Sequence, residues 1–282
     1  VDYSKAEAVQ GVVRIFTYKD VLGENQIGGI IPDEPLWAED EVHFWGQPIA
    51  FIVATSEGVA KKARALIEIE IEEFSVITTA KEAKEKGSFI NAPRSFNLGN
   101  TKNSFKGCEY VFEGETFSNG QEHLYLETQG CYVEPKENGD IKITSSTQGP
   151  TQVQKTAAKV LGIPMHKIEV DVTRLGGGFG GKTVVYLEPL ALALSRKSGR
   201  PVKMEMSRAE VFTSSGPTSG AKVWVKIGVK NDGRIIAGDC VLKYQAGAFQ
   251  GEPVGPGAMC AFAPYDMVNV RAVGYDIVVV AA

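Results

Sequence analysis

Several things are scarce in this chain, and each scarcity closes a class of function. Positive charge is not in excess: 30 Lys and Arg against 34 Asp and Glu leave a net charge of −4. With no basic cluster either, bulk electrostatics give no footprint for nucleic acid. No apolar run approaches the length of a membrane span, and no leader pattern of basic then apolar residues opens the sequence. Four cysteines (Cys108, Cys131, Cys240, Cys260) are scattered without a C-x-x-C pair. They fit neither a zinc ribbon, a disulfide scaffold nor an iron–sulfur cluster, and are expected to be buried thiols of a reducing, cytoplasmic compartment. The three histidines do not cluster, although a metal site wants at least three ligands. No internal repeat is present.

What is present in excess is glycine, 31 in 282 residues, and its density peaks in one place. Positions 176 to 181 hold five glycines and Phe179, followed by Lys182 and Thr183. Such a run implies a backbone that must reach positive φ or let another group approach closely. It lies between an alternating, strand-like stretch (Lys167 to Thr173) and a stretch with helical apolar spacing (Tyr186 to Ser198). A glycine loop between strand and helix is a common holder of anionic groups.

Gly176-x4-Gly181-Lys182-Thr183 also matches the phosphate-loop pattern of nucleotide hydrolases. Three features oppose that match. The preceding strand alternates Ile168, Val170 and Val172 with Glu169, Asp171 and Thr173, whereas a phosphate-loop strand is apolar on both faces. A helix starting at Lys182 would enclose Pro189. No downstream apolar run ends in an Asp placed for magnesium.

Along the chain, residues 1–86 read as a small α+β domain. It has strands at 11–16 and 49–54, a helix capped by Ser56, and a strictly alternating strand at 67–72. Residues 87–109 read as a linker. Residues 110–282 form a second domain, with hairpin signals at Glu137-Asn-Gly139 and Asn231-Asp-Gly233. Within it, residues 141–198 run β-α-β-α. Parallel pairing of the two strands would bring Gln148 beside the glycine loop, at the sheet edge where open α/β sheets hold ligands. Both ends of the sequence look cut, since Val1 opens, and the run ending in Val278-Val-Val280 closes, inside apparent elements.

The candidate polar residues are individually weak. Glu122-His123 suits a hydrogen-bonded structural histidine as well as a site. Gln148 could be no more than a neighbour of a helix cap. Lys182 could be solvated. Phe179, an apolar tip among glycines, needs a wall or a cofactor to pack on. Ser145-Ser146 has no paired histidine, so no nucleophile with its base is legible.

Several stretches together resemble the molybdenum-hydroxylase family, the molybdopterin-binding large subunit of xanthine dehydrogenase and aldehyde oxidoreductase. They are Gln121-Glu-His-Leu-Tyr-Leu-Glu127, Thr147-Gln148 before a helix, and the Gly176–Lys182 run. The segment from Asp40 to Glu73 is similar to the family's hammerhead domain. Ala246-Gly-Ala-Phe249 and Ala263-Pro-Tyr265 through Asn269-Val270 also fit. The implied fold is α+β: a hammerhead-like domain (1–86), then a mixed-sheet α/β molybdopterin-binding domain (110–282), truncated at both ends.

The resemblance implies a cofactor of molybdenum with molybdopterin or its cytosine dinucleotide, near Gln148, Gly178, Phe179 and Gly180. Gln148 would hydrogen-bond an oxygen ligand of the metal, and no side chain would ligate the metal directly. Thr183 falls where purine-oxidising members carry a substrate-binding Glu, which argues against a standard xanthine pocket. Gln245 replaces an Asp common in relatives. The catalytic base would lie beyond residue 282, so these residues alone should not turn over. The implied partners are an iron–sulfur subunit, an FAD subunit and the rest of the molybdopterin subunit. The implied reaction is hydroxylation of a small aldehyde or N-heterocycle with oxygen from water. A non-catalytic assembly scaffold is the reading left if the cofactor is never bound.

Overall fold

The computed structural model describes every residue except 30, 89–91, 250–253 and 278–282. The first half holds α1 (Ser4–Glu7), β1 (Val12–Phe16), β2 (Phe51–Ala54), α2 (Glu57–Arg64), α3 (Ala80–Glu85), β3 (Arg94–Leu98), α4 (Thr101–Ser104), β4 (Tyr110–Ser118) and β5 (Gly130–Pro135). The second holds β6 (Ile141–Ser145), α5 (Pro150–Leu161), β7 (Ile168–Asp171), α6 (Glu188–Ser198), β8 (Val202–Glu205), α7 (Arg208–Ser214), β9 (Ala221–Val229), β10 (Ile235–Gln245), α8 (Val254–Cys260) and β11 (Val270–Ile277). The elements group into two compact units, Val1–Ser75 with His123–Gly216, and Val76–Glu122 with Pro217–Ala282. Both are mixed α/β with open sheets.

In the first unit four strands lie in the order β7-β6-β5-β8, with β6 and β7 parallel and the other pairs antiparallel. The β5–β6 hairpin turns where expected, with Asn138 at φ 57°. Alternation on β6 turns Ile141, Ile143 and Ser145 inward, and burying each isoleucine is worth about 1.5–3 kcal/mol.

Helix α5 follows its sequence signals closely. Pro150 lies in the first turn, where its missing N–H costs nothing, and Gly162 ends the helix in the left-handed region. Its face of Val153, Ala157 and Leu161 packs with Val133, Ile143 and Leu192. Helix α6 is buried from Glu188 through Ser195, because it has cores on two sides. Ala191 and Leu192 face the sheet core, while Leu190, Ala193 and Leu194 meet Phe16, Leu36 and Trp37. A two-stranded sheet, β1 with β2, and the helices α1 and α2 make a third small core around Ala6, Ile15 and Ala63.

The second unit is a five-stranded sheet in the order β3-β11-β10-β9-β4, parallel only between β10 and β11. The expected β9–β10 hairpin forms, with Gly233 at φ 86°. Helix α8 places Ala258 against Cys240, Leu242 and Ala272.

Two local expectations need correction. Ile67–Glu72 is not a strand: beyond a single bridge from Glu68 to Asp2 it has no strand partner among the described residues, and Ile69 and Ile71 are 46% and 59% exposed. Alternation alone cannot satisfy a ladder of backbone groups. Residues 94–98, inside the stretch read as linker, form β3 because β11 offers them an antiparallel edge. The Gly- and Pro-rich stretch 246–263 contains α8, and its residues 250–253 lie outside the described ones.

Candidate functional site

The parallel pairing of β6 with β7, Ile141 opposite Ile168 and Thr144 opposite Asp171, opens both carboxyl ends onto one edge. The segments leaving those ends meet there. Gln148 donates its backbone N–H to the Lys182 carbonyl at 2.9 Å, and Thr147 Oγ1 donates to the same oxygen at 3.2 Å. In return Gln148 Oε1 accepts the amides of Gly180 (3.0 Å) and Lys182 (3.2 Å). Two backbone donors on one side-chain atom identify that atom as the oxygen. The carbonyl end is thereby occupied. The Nε2 end of this exposed residue has no partner among the described residues and keeps two N–H donors available.

The glycines are required chiefly by close approach. A Cβ on Gly178 would stand 2.4 Å from Gln148 Oε1, and one on Gly181 would stand 2.8 Å from His123 Cγ and Tyr125 Cε1. Between them Gly181 N–H bonds the Gly178 carbonyl at 2.7 Å, closing a tight turn. Phe179 sits at its tip with φ 51°, a conformation costing roughly 1–2 kcal/mol for a residue with a Cβ. Its side chain lies close to Gly177 yet is 74% exposed. Backbone strain under an exposed aromatic ring is the kind of feature that marks a ligand surface.

Beneath the loop is a frame that sequence reasoning missed. Lys182 is not solvated: its side chain is fully buried and its Nζ donates to Glu127 Oε2 at 2.8 Å. The same carboxylate oxygen accepts the Gly176 amide at 2.9 Å, so Glu127 ties both ends of the glycine run. The Lys182 hydrogen bond, joined by the Gly176 amide, holds the Glu127 carboxyl below its ordinary range despite partial burial. Lys182 Nζ also lies 4.9 Å from the centre of the buried Tyr125 ring, with the Arg208 guanidinium 5.7 Å from that centre. Residue spacing gives no sign that an acid 55 positions upstream will meet this lysine.

This arrangement disposes of the phosphate-loop reading. The lysine charge is already paired, and α6 starts at Glu188 rather than at the loop, with Pro189 in its first turn. His123 is a packing residue whose ring centre lies 6.3 Å from that of Tyr125; its buried Nδ1 has no hydrogen-bond partner among the described residues. Ser145 Oγ donates to the buried Glu188 carboxyl at 2.5 Å, and Ser146 Oγ accepts the Gly130 amide. Burial raises the Glu188 carboxyl, opposed by the Ser145 bond and nearby amides. Thr183 is exposed and donates its hydroxyl to the Gly180 carbonyl at 2.7 Å. Among the described residues no three His, Cys, Asp or Glu side chains gather as metal ligands.

A family model for the molybdopterin cofactor-binding domain matches residues 82–279. A second, for the a/b hammerhead domain of aldehyde oxidase and xanthine dehydrogenase, matches residues 1–75. The chain belongs to the molybdenum hydroxylase family. Xanthine dehydrogenase of Drosophila pseudoobscura pseudoobscura is 36% identical over 253 residues, 88% of this chain and 19% of that protein. A probable xanthine dehydrogenase subunit of Bacillus subtilis (strain 168) is 32% identical over 286 residues, 97% of this chain and 38% of that protein. The chain therefore spans well under half the length of the curated relatives it matches. Quinoline 2-oxidoreductase of Pseudomonas putida 86 shares the fold at TM-score 0.85 and 26% identity, covering 98% of this chain and 38% of that one. Aldehyde oxidoreductase of Desulfovibrio gigas shares the fold at TM-score 0.88 and 23% identity, covering 98% of this chain and 33% of that one.

The loop surface suits the cofactor of a molybdenum hydroxylase. The Gln148 amide donor, without a partner among the described residues, and the exposed ring of Phe179 offer a hydrogen bond and an apolar face.

Proposed function

We propose that this chain supplies one wall of the molybdenum–molybdopterin site in an enzyme that hydroxylates an aldehyde or an N-heterocycle with oxygen from water. The observation that carries the reading is the Gln148 amide, whose oxygen is held by Gly180 and Lys182 so that its Nε2 is left available. In that role Gln148 would hold the cofactor by donating its amide to an acceptor at the metal end, with Gly178, Phe179 and Gly180 forming the adjoining wall. When bound, the group supplies a Lewis-acidic, redox-active centre. The chain's own contribution is positional: the Glu127–Lys182 pair and the tight turn hold the donor still, so little reorganisation accompanies reaction.

Thr183, exposed just past the turn, is assigned to the substrate side, where its short hydroxyl leaves space that a Glu would fill. Relatives and neighbours named for xanthine, quinoline and aldehydes support these two substrate classes. The base is assigned to the remainder of the molybdopterin subunit, and electrons pass to an iron–sulfur and an FAD subunit in the cytoplasm. Among the described residues no helix is long and apolar enough to cross a membrane. The test is turnover of aldehydes and N-heterocycles by the complete protein with its partners. Molybdenum-loaded protein that oxidises neither class would overturn the assignment.

A further inference from the structure

Away from the glycine loop, within the unit formed by residues 1–75 and 123–216, lies a partly open cavity of about 200 Å³. Its walls are largely apolar, including Leu36, Phe44, Leu190 and Met204. A cavity of roughly 150 Å³ holds a benzene ring, so there is room here for one ring with a short substituent.

The ionisable groups of the lining are one-sided. Glu34, Glu205 and Glu210 border the cavity, and no Lys, Arg or His does. Two of the acids are engaged: Glu205 faces Lys203 at 3.3 Å, and Glu210 Oε2 accepts the Ser207 amide at 2.7 Å. The Glu34 carboxyl has no hydrogen bond or ion pair among the described residues, and burial, with Asp33 beside it, pushes it up to about 7. A second polar group of the lining is also partly unmet. Gln47 is only 7% exposed; its Oε1 accepts the His43 amide at 2.7 Å, while its Nε2 has no partner among the described residues. Leaving the Glu34 carboxyl unpaired is costly, while the Gln47 Nε2, itself a donor, is met only by an acceptor and not by an ammonium. A cation carried on an apolar body answers the carboxyl and the walls together.

We infer that this cavity binds a single-ring primary amine, its ammonium paired with Glu34 and its ring packed among Leu36, Phe44, Leu190 and Met204. The inference does not depend on molybdenum or on the proposed hydroxylation.

The test is a calorimetric titration of the complete protein with benzylamine, with benzyl alcohol as the neutral and benzoate as the anionic comparison. Benzylamine should bind at one saturable site, benzyl alcohol roughly 10-fold more weakly or worse, and benzoate not at all. Glu34→Gln should weaken benzylamine by about 10-fold or more. Affinity should fall as pH drops through about 7, where Glu34, with Asp33 beside it and Glu205 and Glu210 also on the lining, takes up its proton. Met204→Trp, which fills the cavity, should remove binding without touching the carboxyl, and decides the matter if the Glu34 variant folds poorly. Benzyl alcohol binding as tightly as benzylamine, benzylamine indifferent to both variants, or no saturable binding would each overturn the inference.

Discussion

The Gly180 amide and Gln148 Oε1 are joined by a hydrogen bond of 3.0 Å, and that bond determines which end of the Gln148 amide is left to face a ligand. On the proposed function, the glycine loop would act on chemistry through a side chain outside it.

Gln148→Ala removes the available donor while leaving the sheet edge in place. In the complete enzyme, turnover should fall roughly 10- to 100-fold, the scale of losing one preorganised donor, with molybdenum content little changed. Metal content and kcat measured on one preparation separate the outcomes. Equal losses in both would make Gln148 a retention residue, and unchanged turnover would remove its role.

The Glu127–Lys182 pair should respond asymmetrically. Glu127→Gln leaves a fully buried ammonium without its counter-charge and should cost about 3 kcal/mol. Lys182→Met leaves a carboxylate that is 41% exposed and can turn to water, and should cost about 1 kcal/mol or less. Denaturant midpoints of the two variants give the order directly; the reverse order would mean the pair does not hold the loop as described.

Glu34 should impose a pH dependence on stability. Its carboxyl is raised from 4.5 to about 7, so the folded protein keeps a proton that the unfolded chain releases between those values. Its stabilising contribution is complete below pH 4.5 and is lost as pH rises through about 7. Glu34→Gln cannot ionise and should flatten this decline, gaining roughly 1–3 kcal/mol over the parent on the alkaline side. The raised carboxyl of Glu188 acts in the same direction and leaves some slope. Melting temperatures of parent and variant across pH test this; identical profiles would place Glu34 in ordinary solvent.

Thr183→Glu should shift substrate preference toward purines, because a carboxylate enters beside the turn. The ratio of kcat/KM for a purine to that for an aldehyde is the readout. No change in that ratio would show that Thr183 does not line the pocket.

The local elements with capping residues were legible in the sequence. Pro150 and Gly162 bracket α5, and the turns at Asn138 and Gly233 make their hairpins. So was the meeting of Gln148 with the glycine loop, because β-α-β order and a parallel pair force it. The contacts set by distant residues were not legible. Glu127 beneath Lys182 and the β3–β11 pairing join positions far apart, and no local pattern encodes them. The alternation of Ile67 to Glu72 misled for the converse reason, since it states a preference for a face but supplies no partner strand.

The most direct test of the account is elemental analysis for molybdenum in the complete protein, purified with whatever accompanies it. Molybdenum stoichiometric with the chain, together with iron and flavin in the same fraction, is the expected result. A fully folded, natively purified protein with no molybdenum would contradict it and leave the scaffold reading in its place.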